Sequence, residues 1–409
     1  MNGSENATDF SHATQQFRYL GITIGMIDIV LGTSGNLLTI LAVGRNRDMR
    51  RNSFNMLIVN LAIIDLLTAS VMMPFNVMGY ILMDWPLGTT TCILQAFFYF
   101  SCGYTSVVCL IAITLNRLIG VVLPSRYTSI FTDQNVRIVI FICWILAPAF
   151  LLPYLIVSLL RHYNNQLPIT GWNQKQFLCT FVNLSQPHLA AWDGYMKATR
   201  AMFQFVPTII MVISYTVMVY YVKKSNKRFE ASRNPGYNEY RLKMLTRDSR
   251  QSSETNISLQ QSNHESGQHQ NEINPTQTRR VTRSASVLSR ISTFVWKADS
   301  PRQPFRTRSP SQQERHLQEK HLVYLSIIIC VTFNLLFLPS LIVSFLKYSD
   351  PRPYMAASNV TWFNSCVNPV IYVIMHKGMR HEYKKLIKKI CSAIRNCCVK
   401  KTTVLTPAI

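Results

Sequence analysis

Residues 1–16 contain no lysine, no arginine and no apolar run. A cleavable secretory leader needs a basic start and an apolar stretch, so none is expected, and the first apolar segment must act as its own insertion signal. Acidic residues are scarce as well, 19 Asp and Glu against 42 Lys and Arg, for a formal net charge of +23. Such an excess is compatible with nucleic-acid binding. Here, however, the basic residues border long apolar runs, where anionic inner-leaflet lipid accounts for them, and no nucleic-acid partner is expected. A third scarcity is local. Leu, Ile, Val and Phe supply only 13 of the 92 residues in 225–316, below the roughly 20% at which a charged chain stops making a core, so that segment is expected to be disordered.

Apolar residues are gathered instead into runs long enough to cross a bilayer, which takes about 20 residues. Seven such spans are read near 20–44, 54–82, 92–122, 136–160, 198–222, 321–346 and 354–375. The expected fold is an all-α membrane protein, a seven-transmembrane helix bundle with its termini on opposite sides. Seven basic residues, Arg18, Arg161, Lys175, Lys197, Arg200, Lys347 and Arg352, fall on one side and the other 35 on the opposite side, including Arg45, Arg47, Arg50 and Arg51 in a short loop. The positive-inside rule makes the crowded side cytoplasmic and the N-terminus extracellular. The chain then divides into an extracellular tail (1–17), spans one to five (18–224), a third cytoplasmic loop (225–316), spans six and seven (317–375) and a cytoplasmic C-terminal segment (376–409). Within the loop, Arg279-Arg280-Val281-Thr282-Arg283-Ser284-Ala285-Ser286 places hydroxyls just after basic residues, a pattern that suits basophilic kinases and would reverse the local charge on phosphorylation.

The ten cysteines divide by compartment. Cys92 and Cys179 both face the oxidising side and can bridge. Cys102, Cys109, Cys143, Cys330 and Cys366 lie within spans as packing residues. Cys391, Cys397 and Cys398 follow Met379, Tyr383, Leu386, Ile387 and Ile390, which share one helical face opposite Lys384, Lys385, Lys388 and Lys389. That segment reads as an amphipathic helix on the inner leaflet with its cysteines placed for palmitoylation. Asn2, Asn6 and Asn183 are glycosylation acceptors; Asn256 and Asn359 match the sequon but fall on the cytoplasmic side and too near the membrane.

Asn368-Pro369-Val370-Ile371-Tyr372 closes the seventh run. A proline inside a membrane helix frees one carbonyl, which neighbouring polar groups must satisfy, and Asn368 and Tyr372 stand beside the kink. Together with Gly35-Asn36 in span one, Leu61-Ala62-Ile63-Ile64-Asp65 in span two, Asn116-Arg117 ending span three, Trp144 in span four, Pro207 and Tyr215 in span five and Pro339 in span six, this motif resembles the signatures of the rhodopsin-like, class A family of G-protein-coupled receptors. The resemblance covers all seven spans in order. It implies a plasma-membrane receptor, without enzymatic activity, that turns binding of an extracellular ligand into activation of a heterotrimeric G protein, with arrestin and receptor kinases as further partners.

Asp65 is an ionisable group near mid-membrane and therefore marks a functional site. Ser106, Asn36, Asn364, Ser365 and Asn368 read as its partners, and the resemblance implies a small sodium and water site there, with no other cofactor. Arg117 and Glu319, twenty residues before Pro339, are placed to pair across the inner ends of spans three and six. Two departures stand out. The family's usual Asp-Arg-Tyr is Asn116-Arg117-Leu118, which removes the carboxylate that normally helps to hold the arginine, so raised basal activity is expected; and Phe337 stands where a tryptophan switch is usual. The Asn-Arg start is similar to melatonin receptors and to the moody-type orphan receptors of invertebrates, which implies coupling to inhibitory G proteins.

In the outer half, Tyr99 occupies the position of the amine receptors' aspartate and Trp362 that of the opsins' lysine, which argues against monoamines and excludes retinal. Arg200 lies two turns before Pro207 with Gln204 on the same face. A cation at that depth either snorkels to headgroups or meets an anion inside the bundle, and both readings stay open. With Phe97, Phe98, Tyr99, Phe203, Phe205 and Phe337 near it, an apolar, acidic ligand such as a fatty acid or another lipid would fit. Two alternatives to a receptor are a seven-helix lipid scramblase or transporter, with Asp65 and Arg200 lining the path, and a non-signalling adhesion receptor.

Overall fold

The computed structural model describes the backbone of residues 2–174, 176–182, 189–233, 310–346, 350 and 352–404. Among these, six helices are long and apolar enough to cross a membrane, with spans at Gln15–Arg45, Ser53–Leu82, Thr89–Val122, Asp133–Tyr163, Ala190–Lys227 and His321–Val343. Span seven is present in two pieces, Arg352–Trp362 and Asn364–Met375, joined by a turn at Phe363. Helix starts follow from local chemistry. Asn52 and Thr132 accept hydrogen bonds from the amides of Phe54 (3.0 Å) and Asn135 (3.2 Å), capping spans two and four. Span three begins after Gly88, whose φ of 82° only glycine adopts without strain.

The bundle buries Leu57, Leu61, Leu110, Ile113, Met218 and Leu325 and leaves apolar residues such as Phe141, Val212 and Leu335 on its outside, as expected of a surface that faces hydrocarbon. Prolines shape the helices. Directly before Met73-Pro74 and Val206-Pro207, the chain widens into single π turns at Thr68–Met72 and Ala201–Phe205. A proline ring clashes with the carbonyl four residues back and offers no N–H to it; those carbonyls, of Ser70 and Phe203, lie inside the widened turns.

Pro369 is accommodated differently. The carbonyl it strands belongs to Ser365, and Asn36 of span one donates to it from Nδ2 at 2.8 Å, with a second contact to the Gly32 carbonyl at 2.9 Å. Asn368 and Tyr372 were expected to serve the kink; the group that does so comes from another helix. Close approach makes this possible, since a Cβ on Gly35 would meet Pro369 at 2.7 Å.

Two strands, Thr170–Asn173 and Leu178–Phe181, pair as an antiparallel hairpin between spans four and five, an element not anticipated in an all-α chain. Cys179 of the second strand is bonded to Cys92 at the start of span three, with their Cα atoms 5.3 Å apart. The helices also run further than the boundaries 225 and 316 allow: span five's helix continues to Arg233 and span six's begins at Pro310. Lys, Arg, Glu, Gln and Ala at these edges favour helix, and Pro310 suits a first helical turn. Residues 234–309, with the kinase-type run and Asn256, lie outside the described residues, as does Asn183. Asn2 and Asn6 fall on the helix Asn2–Arg45, and Cys391, Cys397 and Cys398 on the helix Lys377–Val404. That last helix is held partly by the bundle rather than by a leaflet alone: Met379, Tyr383 and Leu386 are buried, with the Tyr383 hydroxyl bonded to Thr39, while Ile387 and Ile390 remain exposed.

Removing the amide that serves Ser365 is expected to cost about 1–2 kcal/mol. Asn36→Leu should therefore lower the melting temperature of the purified protein, whereas Thr23→Ala, which removes an exposed bond within one helix, should not. Equal melting of both variants would show that Asn36 is not the support of the joint.

Candidate ligand cavity and polar core

A cavity of about 200 Å³ opens beneath the hairpin. Its walls include Tyr99, Phe100 and Tyr104 of span three, Arg200 and Gln204 of span five, Phe337 of span six and Trp362 of span seven, with Leu178, Cys179 and Thr180 from the disulfide-anchored strand. Four of the five expected ligand contacts, Tyr99, Arg200, Gln204 and Phe337, thus share one space. Phe203 does not. One residue before Gln204, and so about 100° around the helix, it is buried against Tyr104, stacked at 4.8 Å between ring centroids, and edge-on to Phe150 at 5.4 Å. Phe98 points out of the bundle at 50% exposure, and Phe97 packs with the cluster around Leu151 and Tyr154. Phe100, Gly103 and Tyr104 take part instead; their helical spacing after Tyr99 was the available signal.

The cations near the cavity differ in their partners. Lys197 is paired with Asp193 at 2.6 Å. The guanidinium of Arg200 faces the cavity and makes no hydrogen bond or ion pair with another described residue.

Polar groups from spans two, three and seven form the floor. Asp65 is buried to 1% exposure, and Asn368 donates to its Oδ2 at 2.7 Å. Ser106, Asn364 and Ser365 border the same space. Asn36, expected among the Asp65 partners, serves the Ser365 carbonyl instead. Sequence reasoning missed Asp28. It lies within span one at 0% exposure, both carboxylate oxygens lack a hydrogen-bond partner among the described residues, and the Cys366 thiol is its neighbour. The signal was present, because the argument applied to Asp65, an ionisable side chain inside a span, holds equally for Asp28.

At the opposite end of the bundle Arg117 meets the amide oxygen of Asn116, the Tyr127 hydroxyl and the Phe54 ring among its contacts. Its Nε donates to Asn116 Oδ1 at 3.0 Å, a terminal nitrogen reaches the same oxygen and the Tyr127 hydroxyl (2.9 Å), and the guanidinium lies 4.0 Å over the Phe54 ring. Tyr127 and Asn116 both bond Ser53, at 2.7 and 3.3 Å. Asn116 therefore grips Arg117 as an acceptor, although it brings no charge. Glu319 is on the span-six helix, and its side chain lies outside the described residues. The Tyr215 hydroxyl sits 2.7 Å from Thr114 Oγ1 and 2.8 Å from Cys330 Sγ, bringing spans three, five and six together. Trp144 donates to Asn60 at 2.8 Å, pinning span four to span two. The Tyr372 hydroxyl is buried without a partner among the described residues.

The model of the family described as 7 transmembrane receptor (rhodopsin family) matches residues 35–372. The chain belongs to this family. Bovine G-protein coupled receptor 84 is 24% identical over 94% of this chain and 96% of its own length. The moody receptor of Drosophila melanogaster is 23% identical over 93% of this chain and 52% of its own, and mouse melatonin receptor type 1A is 22% identical over 95% and 90%. The chain is thus a multi-pass membrane receptor, not an enzyme, that couples an extracellular ligand to a heterotrimeric G protein, and the scramblase and adhesion alternatives fall away.

Neutralising a buried carboxylate that has only the Cys366 thiol beside it among the described residues should relieve a desolvation cost of about 1–3 kcal/mol. Asp28→Asn is expected to melt at or above the temperature of the parent receptor. A fall of several degrees would mean that the carboxylate has a partner which the amide cannot replace.

Proposed function

We propose that the receptor sits in the plasma membrane with its N-terminus outside, recognises a small acidic, lipid-like ligand through Arg200, and signals through inhibitory G proteins. Arg200 carries this reading: of the two cations at this end of span five, Lys197 is paired with Asp193, whereas Arg200 borders the cavity with no ion-pair partner among the described residues. A guanidinium in a desolvated, aromatic-walled space recognises a carboxylate or phosphate by a bidentate bond. The basic excess on the far side of the spans supports the orientation. Inhibitory coupling is the reading suggested by the Asn116-Arg117 start of the motif, which is similar to melatonin and moody-type receptors. Membership of the family supports arrestin and receptor kinases as further partners, the run at 279–286 suits basophilic kinases, and the exposed Cys391 supports lipid attachment of the last helix.

Transmission follows from which helices the ligand touches. Gln204 lies in the π turn before Pro207, and Phe337 precedes Pro339, so the ligand meets spans five and six at their weakest turns. Thr208 donates to Asn334 Oδ1 at 2.7 Å, which ties those spans together, and the Ser340 and Thr361 hydroxyls, 2.7 Å apart, tie span six to span seven beside its turn. Asp65, Ser106, Asn364 and Ser365 offer oxygen ligands of the kind a sodium ion takes, and their collapse would accompany activation. Release of Arg117 from Asn116 and Tyr127 would free the inner end. Asn116→Asp, which restores a charge to that grip, should lower ligand-independent nucleotide exchange several-fold, and Glu319→Ala should raise it; no change in either at equal surface density would remove the lock from the account.

The test of the ligand class is a dose–response comparison of an acidic agonist with its neutral amide. A charge-assisted bond contributes about 1.5–3 kcal/mol, so Arg200→Gln should weaken the acid by roughly 10-fold to 100-fold and the amide little, with Arg200→Lys between the two. Equal weakening of acid and amide would show that Arg200 reads no charge and snorkels to headgroups.

A further inference from the structure

A second space, of about 270 Å³, lies directly below the ligand cavity between spans three, five and six. The two share Tyr104, Gln204 and Phe337 as walls. They differ in chemistry. The upper cavity holds Arg200 and the polar floor, whereas the lower cleft is lined by side chains such as Val107, Met211, Phe333 and Leu341. Its prominent polar pair, Thr208 and Asn334, is satisfied internally at 2.7 Å. The rim opens on the lipid-facing side: Val212, Leu335 and Leu338 are 58%, 62% and 47% exposed and line the cleft as well. A cation above and a dry slot below, separated by three side chains, complement one kind of molecule.

We propose that the ligand is a single-chain anionic amphiphile, its headgroup on Arg200 and its chain passing Tyr104, Gln204 and Phe337 into the cleft between spans five and six. This rests on the acidic-ligand reading for the headgroup, while the chain's position rests on the cleft alone. Occupation of the cleft would wedge span six against span five on either side of Thr208 and Asn334, below the π turn and at the level of Phe333 and Phe337, whose rings stack at 4.3 Å. Chain length would then set potency. Each methylene withdrawn from water into such a slot is worth up to about 4-fold in affinity, on the order of 0.8 kcal/mol, until the cleft is full.

The experiment uses the full-length receptor in lipid nanodiscs with purified G protein, reads nucleotide exchange, and takes n-alkyl carboxylates from hexanoate to palmitate as probes. Val212→Trp and Leu335→Trp fill the cleft from rim positions where a larger side chain faces lipid and folding is tolerant. Comparing each variant with the parent at one chain length cancels the partitioning of the probe into the bilayer. The expected result is a loss of at least about 10-fold for the long chains in both tryptophan variants, an unchanged response to the short ones, which also shows the variants to be folded, and a uniform loss across the series in Arg200→Gln. Tryptophan variants that weaken short and long chains alike, or neither, overturn the proposal. If Arg200→Gln leaves the series untouched while the tryptophan variants still cut only the long chains, the headgroup assignment fails and the cleft assignment stands. The reverse pattern rejects the cleft and keeps Arg200. A parent receptor that responds to no member of the series contradicts both.

Discussion

A proline in span seven strands the Ser365 carbonyl in a medium that offers no water, and another helix has to satisfy it. Asn36 does so from span one at 2.8 Å. That single requirement brings spans one and seven close enough for Gly35 to meet Pro369, and it sets the register in which Asn368 reaches Asp65 of span two at 2.7 Å. Spans one and two are thus fixed around one weak stretch of span seven, Phe363 to Pro369, that cannot support itself. Two unlike bonds secure it. Asn36 repairs a backbone defect, whereas the Asp65 bond depends on the charge and solvation of a buried carboxylate and can be altered by what occupies the space beside it.

The cavity above and the arginine cluster below are arranged around that joint. Asp65 and Ser365 both border the ligand cavity, Ser365 carries the stranded carbonyl and Asp65 accepts from Asn368 beside Pro369, so a ligand needs no long wire to influence the joint. Span six touches the same region through Ser340 and Thr361. At the other end, Arg117 lies in a cage of Asn116, Tyr127, Ser53 and Phe54 that binds by hydrogen bonds and a ring face rather than by an adjacent carboxylate. In the proposed mechanism the missing charge on Asn116 lowers the cost of releasing Arg117 from that side, which suits a receptor with appreciable basal signalling.

Span positions were legible in the sequence because apolar runs of membrane length admit few readings, and the family signatures fixed their order. Tyr99, Gln204, Arg200 and Phe337 could be grouped because helical spacing relative to Cys92, Pro207 and Pro339 places them on inward faces. Phe203, one residue and so about 100° around the helix from Gln204, borders the lower cleft rather than the upper cavity. The turn at Phe363 and the two π turns were not legible. A proline announces that a turn must give way, but packing against neighbouring helices decides whether the helix widens, as before Pro74 and Pro207, or borrows a donor, as at Pro369. Asn116 was read by its missing charge, which concealed that an amide oxygen accepts from a guanidinium as well. Asp28 was overlooked for want of a motif around it, although its chemistry was as visible as that of Asp65.

The central claim is that Asp65 and Asn368 act as one coupled unit that holds the resting packing of span seven. A double-mutant cycle with Asp65→Asn and Asn368→Ala, read as ligand-independent nucleotide exchange at equal surface density, tests it most directly. The account predicts that the double variant departs from the sum of the single effects by at least about 0.5 kcal/mol. Strict additivity, with each substitution acting as if the other residue were absent, would contradict it.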